Sequence, residues 1–174
     1  TNVNKFYNPN DNGLNNALEY GRIVDEKNFN RVEKLLQDAI KKGAKIEFGG
    51  QLKKEEKFME PTLLTNVNTE MLIMQEEIFG PVVTLTPFNN EEELIQYANS
   101  TKYGLSATIW TTNIGKANRV SNNLQAGIIW VNCWLVRDLR TPFGGVKESG
   151  VGREGGTYAL NFFTETTNVC ISYD

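Results

Sequence analysis

Between Val82 and Val131 the chain alternates between short apolar runs and amphipathic stretches. Val82 to Phe88 is β-rich and short enough for a strand. Asn89 or Asn90 then caps a helix opening on Glu91-Glu92-Glu93, with acids at the end the helix dipole favours. Leu94, Ile95, Tyr97 and Ala98 supply the buried side of that helix. Leu105 to Thr111 reads as a second strand. Asn113 caps a second helix, in which Ile114, Ala117, Val120, Ser121 and Leu124 recur at helical spacing. Ile128-Ile129-Trp130-Val131 is a continuous apolar run that calls for burial on both faces. Strand, helix, strand, helix, strand predicts a βαβαβ unit, a parallel sheet with right-handed crossovers, and an α/β fold class.

Other segments are punctuated as clearly. Residues 1–19 are polar and Asn-rich and read as a loop or lead-in. Asp25 is placed to cap a helix whose apolar stripe is Phe29, Val32, Leu35, Leu36, Ala39 and Ile40, with Lys41 and Lys42 in its last turn and Gly43 as its stop. Ala44 to Phe48 alternates as a short strand, 51–57 is charged and loop-like, and Pro61 to Thr65 is a further strand. Thr157 to Phe163 suits a short helix. Thr166 to Tyr173 alternates loosely as a C-terminal edge strand, available to pair with another subunit.

Composition narrows the chemistry. With 174 residues, 40% of them hydrophobic and 22% charged, the chain can bury a core and is not of disordered type. A net charge of −3 advertises no nucleic-acid surface. No stretch of about 18 apolar residues exists, so no membrane helix is expected. Nor does the opening read as a signal peptide. Cys133 and Cys170 are the only cysteines, which suits a reduced, cytoplasmic compartment. There is no histidine, so a Ser-His-Asp triad, a Cys-His pair or a histidine-ligated zinc is excluded within this chain.

Three groups of residues are candidates for function. Glu76, Glu77 and Phe79 precede the Gly80-Pro81 break at the mouth of the Val82 strand; the alternative is a helix end with solvated acids and one core Phe. Arg137 and Arg140 stand three apart beside Trp134 and Phe143, just after the Ile128–Val131 run. They can clamp a carboxylate or form surface or intersubunit ion pairs. Gly144 to Arg153 resembles a phosphate loop superficially but lacks the GxxxxGK[ST] spacing, and a packing or turn role fits better. Cys133 has no neighbouring His to activate it and reads as pocket lining or core, and Cys170 as structural.

Taken together, Phe58-Met59-Glu60-Pro61-Thr62, Glu76-Glu77-Ile78-Phe79-Gly80-Pro81, Tyr103-Gly104-Leu105 and Pro142-Phe143-Gly144-Gly145-Val146-Lys147-Glu148-Ser149-Gly150-Val151-Gly152-Arg153-Glu154 resemble the NAD(P)-dependent aldehyde dehydrogenase superfamily. The motifs fall in family order from about Tyr20 to the end. They correspond to the later part of the family's catalytic domain (20–164) and the last strand of its oligomerisation arm (165–174). The resemblance implies that the dinucleotide-binding domain, the nucleophilic cysteine and the glutamate that activates water belong to a region preceding this one. Cys133 is not at the nucleophile's position, and the 174 residues alone are expected to be inactive. A non-catalytic assembly module of the same fold is the alternative.

In the family a thiolate attacks the aldehyde, hydride passes to the nicotinamide, and water hydrolyses the thioester. The resemblance assigns Glu77 to the nicotinamide ribose and Phe79 to packing beside the nicotinamide, with NAD as cofactor and NADP also admissible. It places Phe143 in the aldehyde pocket. Asn132 to Phe143 looks closest to the muconic semialdehyde dehydrogenases, whose substrates carry a carboxylate. Arg137 or Arg140, with Arg140 favoured, is then the anion partner. Phe6-Tyr7 and Tyr20-Gly21-Arg22-Ile23 look more like the fatty and aromatic aldehyde branch. The implied partners are a small-molecule aldehyde, the N-terminal half of the same enzyme and further copies in a homo-oligomer.

Overall fold

A computed structural model describes residues 21–173. The lead-in over 1–19 and the Phe6-Tyr7 motif lie outside the described residues. The chain divides between residues 88 and 89 into two compact units.

The first unit is built on α1 (Glu26–Lys41). The Asp25 carboxylate accepts from the Asn28 N–H at 2.6 Å, so an orphan donor of the first turn is satisfied as the sequence predicts. Phe29, Val32, Leu35, Leu36 and Ala39 form the buried stripe. Ile40, in the last turn, does not join them and is exposed. Gly43 takes a positive φ of 103° and turns the chain out of the helix.

The strands β1 (Lys45–Phe48), β2 (Leu52–Lys53), β3 (Phe58–Met59) and β4 (Thr62–Thr65) come next, then the single-turn α2 (Leu72–Gln75) and β5 (Val82–Thr84). One sheet has the order β1-β4-β5, with β1 antiparallel and β5 parallel to β4. The charged stretch 51–57 is not all loop. Its first residues pair with the strand after it, Leu52 with Met59 and Lys53 with Phe58. β5 is shorter than the expected Val82–Phe88 because its partner β4 turns away at Asn66, which has φ 55°, and Pro87 has no N–H to extend a ladder. Phe29, Val32, Leu36, Met59, Leu64 and Met71 are the fully enclosed centre of this unit.

The second unit contains α3 (Glu91–Asn99), β6 (Tyr103–Gly104), β7 (Ser106–Ile109), α4 (Ile114–Asn123), β8 (Ile128–Val131), β9 (Val146–Lys147) and α5 (Gly156–Phe163). Asn90 and Asn113 are the N-caps of α3 and α4, each accepting from the N–H three residues on. β7 and β8 pair in parallel from Ser106–Ile128 to Ile109–Val131 and are joined by α4. β6 pairs antiparallel with β9.

The molecule is α/β as expected, but the βαβαβ series does not lie in one hydrogen-bonded sheet. β5 pairs with β4 in the first unit, and the βαβ crossover β7-α4-β8 stands in the second. Leu94, Ile95 and Tyr97 of α3 are only half-buried and Ala98 is exposed. In β8 only Trp130 is buried, since the strand has one paired neighbour among the described residues. Residues 164–173 are exposed and carry no strand. Their backbone finds no ladder partner among the described residues, which the expected edge strand requires. No helix among the described residues is long and apolar enough to cross a membrane.

Candidate functional site

In the first unit the short helix α2 ends at Gln75, with Glu76 as its C-cap, and the chain runs irregularly through Glu77, Ile78 and Phe79 to Gly80 before entering β5. Glu77 is exposed, and the Phe79 ring is 67% exposed. These residues stand at the entry of β5. Open α/β sheets hold ligands at the carboxyl ends of their strands, so the strand itself does not mark Glu77 and Phe79 as contacts. What marks them is presentation. A carboxylate and an aromatic ring, both outward, sit on a corner where Phe79 adopts φ 50°, a conformation uncommon for a residue other than glycine.

Helix α1 holds that corner. The Arg31 guanidinium donates to the carbonyls of Glu77 at 2.5 Å and Ile78 at 2.7 Å, and the Asn28 amide donates to the Phe79 carbonyl at 2.9 Å. A Cβ on Gly80 would come within 3.1 Å of both methyls of Val32, so a bare glycine lets the loop lie close to the helix. Residues 28, 31 and 32 share one helix face. Sequence reasoning misses Asn28 and Arg31. The only signal is two polar residues at i and i+3 beside the apolar stripe, which is also the pattern of a solvated face.

In the second unit the segment after β8 is pinned at two points. Asn132, with φ 53°, accepts from the Thr111 N–H and donates to the Thr111 carbonyl. The Trp130 indole N–H donates to the Val136 carbonyl at 2.8 Å. The segment leaves the carboxyl end of a parallel strand.

The two arginines separate there. The Arg137 guanidinium lies over the Phe143 ring, 4.3 Å from its centroid, and pairs with Glu154 at 2.6 Å. Phe143 and Glu154 are themselves bridged through their backbones, so ring and carboxylate are presented together. Arg140 turns the other way. Its guanidinium is tied to Asp138, and its side chain is 88% exposed. That hydrogen bond holds the Asp138 carboxyl below the usual carboxylate range and raises the Arg140 guanidinium further. Sequence reasoning groups Arg137, Arg140 and Phe143. The structure brings Arg137 to Phe143, adds Glu154, and engages Arg140 with Asp138 instead.

The glycines beyond are packing residues, as their failed phosphate-loop spacing implies. A Cβ on Gly127 would lie 1.6 Å from the Gly144 carbonyl oxygen, and one on Gly155 would lie 2.3 Å from that of Thr141. Arg153 donates to the carbonyls of Gly145 and Gly152 and stitches the loop together. Phe143 also borders a cavity of about 370 Å³ with Leu105, Arg153, Phe162 and Phe163. Cys133 is half-buried, and Cys170 is exposed rather than part of a core. No group of metal-ligating side chains is found among the described residues.

The described residues thus present an outward carboxylate beside an outward ring in the first unit, and an arginine over a phenylalanine in the segment after β8 in the second. The chain belongs to the aldehyde dehydrogenase family, whose sequence model matches residues 5–169. It is 44% identical to the 2-aminomuconic 6-semialdehyde dehydrogenase of a Pseudomonas species, over 90% of this chain and 33% of that protein. It is 41% identical to the human 2-aminomuconic semialdehyde dehydrogenase, over 90% of this chain and 34% of that one. Among solved structures it matches a Staphylococcus aureus betaine aldehyde dehydrogenase in complex with NAD+, with a TM-score of 0.81 and 39% identity, over 92% of this chain and 33% of that one. The chain thus spans about a third of the length of the curated relatives it matches.

Proposed function

We propose that this chain is the C-terminal portion of an NAD-dependent aldehyde dehydrogenase that oxidises a carboxylate-bearing semialdehyde to the acid. The observation that carries the substrate class is Arg137 seated over Phe143 at the end of a parallel strand. A guanidinium held there against an aromatic wall is positioned to receive a substrate carboxylate, and Phe143 to contact its carbon chain. Both arginines have a carboxylate partner, Glu154 for Arg137 and Asp138 for Arg140. Arg140, favoured from sequence, is the weaker candidate because its side chain is 88% exposed, whereas Arg137 is 33% exposed and backed by the Phe143 ring. The names of the muconic semialdehyde relatives support the same class.

The residues presented in the first unit fit the nicotinamide end of the cofactor. Bound NAD supplies the hydride acceptor, and NADP is equally compatible with the residues present. Glu77 accepts hydrogen bonds from ribose hydroxyls, and Phe79 limits where the nicotinamide ring can swing. The nucleophilic thiol and the water-activating glutamate come from outside these 174 residues, so the segment alone carries no activity. Thr166–Tyr173, with Val169, Ile171 and Tyr173 exposed at alternate positions, pairs with another copy in a homo-oligomer. A cytoplasmic location suits two unpaired cysteines.

The test compares two aldehydes of similar size, one carboxylated and one neutral, on the full-length enzyme carrying this segment. Arg137→Met should lower kcat/KM for the carboxylated aldehyde roughly ten- to hundredfold, the scale of a lost charge-assisted contact, and leave the neutral one within about twofold. Equal losses on both would remove the anion-partner role.

A further inference from the structure

We propose that Asn28 and Arg31 of α1 are positioning residues for the cofactor, setting the attitude of Glu77 and Phe79 through the backbone of their loop. The inference rests on the reading of Glu77 and Phe79 as nicotinamide contacts.

The 77–80 corner has little regular structure of its own. It lies between a helix of one turn and a strand of three residues. Phe79 sits at φ 50°, a left-handed conformation that is strained for a residue with a side chain and persists only where surroundings enforce it. Three consecutive carbonyls, of Glu77, Ile78 and Phe79, receive donors from one face of α1. Arginine can span two of them because its fork is rigid and planar, and the Asn28 side-chain oxygen lies 3.4 Å from the Arg31 Nε. Val32, on the same face and fully buried, seats Gly80 from below.

The clamp leaves both functional side chains outward while fixing the backbone they hang from. Its anchor is the most enclosed helix of the first unit, so the loop takes its precision from the core rather than from neighbours of its own. Rotation of the corner by about an ångström moves a ribose-binding carboxylate out of reach and lets the nicotinamide swing, an error that costs catalysis far more than it costs folding.

The experiment uses the full-length enzyme with saturating aldehyde, in four variants: Arg31→Met, Arg31→Lys, Asn28→Ala and Glu77→Gln, with the Arg31→Met/Glu77→Gln double variant. Arg31→Met is expected to lower kcat roughly tenfold. The primary deuterium isotope effect on the aldehyde hydrogen should rise as hydride transfer becomes limiting, and the KM for aldehyde should stay within about twofold. Arg31→Lys should recover part of the loss, and Asn28→Ala should show a smaller effect of the same kind. The double variant should be little slower than Glu77→Gln alone, because both act on one contact.

Glu77→Gln slowed beside unchanged Arg31→Met and Asn28→Ala would overturn the inference alone. Unchanged Glu77→Gln would remove the cofactor reading and the inference with it. Additive losses in the double variant would show Arg31 acting elsewhere and overturn the clamp. Should Arg31→Met fail to fold, Asn28→Ala carries the same test, since it removes one carbonyl contact and leaves the core untouched.

Discussion

The two units hold themselves together by different means. The first has an interior: Phe29, Val32, Ala39 and Leu64 are completely enclosed, and every large side chain of the buried α1 stripe finds cover within the unit. The second has Ala117, Val120 and Trp130 as its buried hydrophobic residues, while Trp110, Ile114, Trp134, Leu139 and Phe163 are each more than two-thirds exposed. It relies instead on close backbone approach at glycines and on capped helices and pinned loops. The difference is between a rigid support, where α1 anchors the 77–80 loop, and an open framework held by backbone contacts.

Substitutions in each unit of the 174-residue chain, read by urea unfolding, separate the two modes of cohesion. Phe29→Ala should cost about 3–5 kcal/mol, the range for deleting a buried aromatic. In the second unit, Gly127→Ala should do the larger damage there, about 1–3 kcal/mol, because the new methyl meets the Gly144 carbonyl oxygen and backbone must move. A Gly127→Ala chain as stable as the parent would show that the glycine contact does not hold the second unit.

How much of this is legible in the sequence depends on distance along the chain. The α1 cap, its stripe and its glycine stop are local, and so are the Asn90 and Asn113 caps; each is readable from residues within a turn or two. The Arg140–Asp138 pair is also local, two residues apart, yet nothing in the residue pattern prefers it to a free guanidinium. The Arg31 contacts with carbonyls 46 and 47 residues away leave no trace in composition or period, since a carbonyl is common to every residue. The pairing of β5 departs from expectation for a related reason: alternation of strand and helix says that parallel neighbours exist, and Thr62–Leu64 supplies the nearer one. β2 and β3, of two residues each, are too short for any period to show.

A smaller effect sharpens the picture of α3. The Glu93 carboxylate accepts from the Asn89 N–H at 2.6 Å and from the Tyr97 hydroxyl at 2.8 Å. The Asn89 N–H, then the Tyr97 hydroxyl, hold its carboxyl below the ordinary glutamate range, and the same contact raises the Tyr97 phenol. A depressed folded-state value means the stabilisation is complete above the unfolded glutamate value of about 4.3 and is lost as pH falls through the lower folded one. Wild type should therefore exceed Glu93→Gln in urea midpoint at neutral pH, and the difference should shrink as pH falls below the unfolded glutamate value of about 4.3. A constant difference across that window would contradict the assignment.

On the proposed function, this chain completes an NAD-dependent oxidation of a carboxylate-bearing aldehyde. That function is tested most directly by mixing the folded full-length enzyme with NAD and such a semialdehyde and measuring NADH and acid together. Equal yields of the two are expected, with a higher kcat/KM than for the neutral aldehyde of the same size. A folded full-length chain that reduces neither NAD nor NADP with either aldehyde would contradict it, and would instead indicate a non-catalytic assembly module of the same fold.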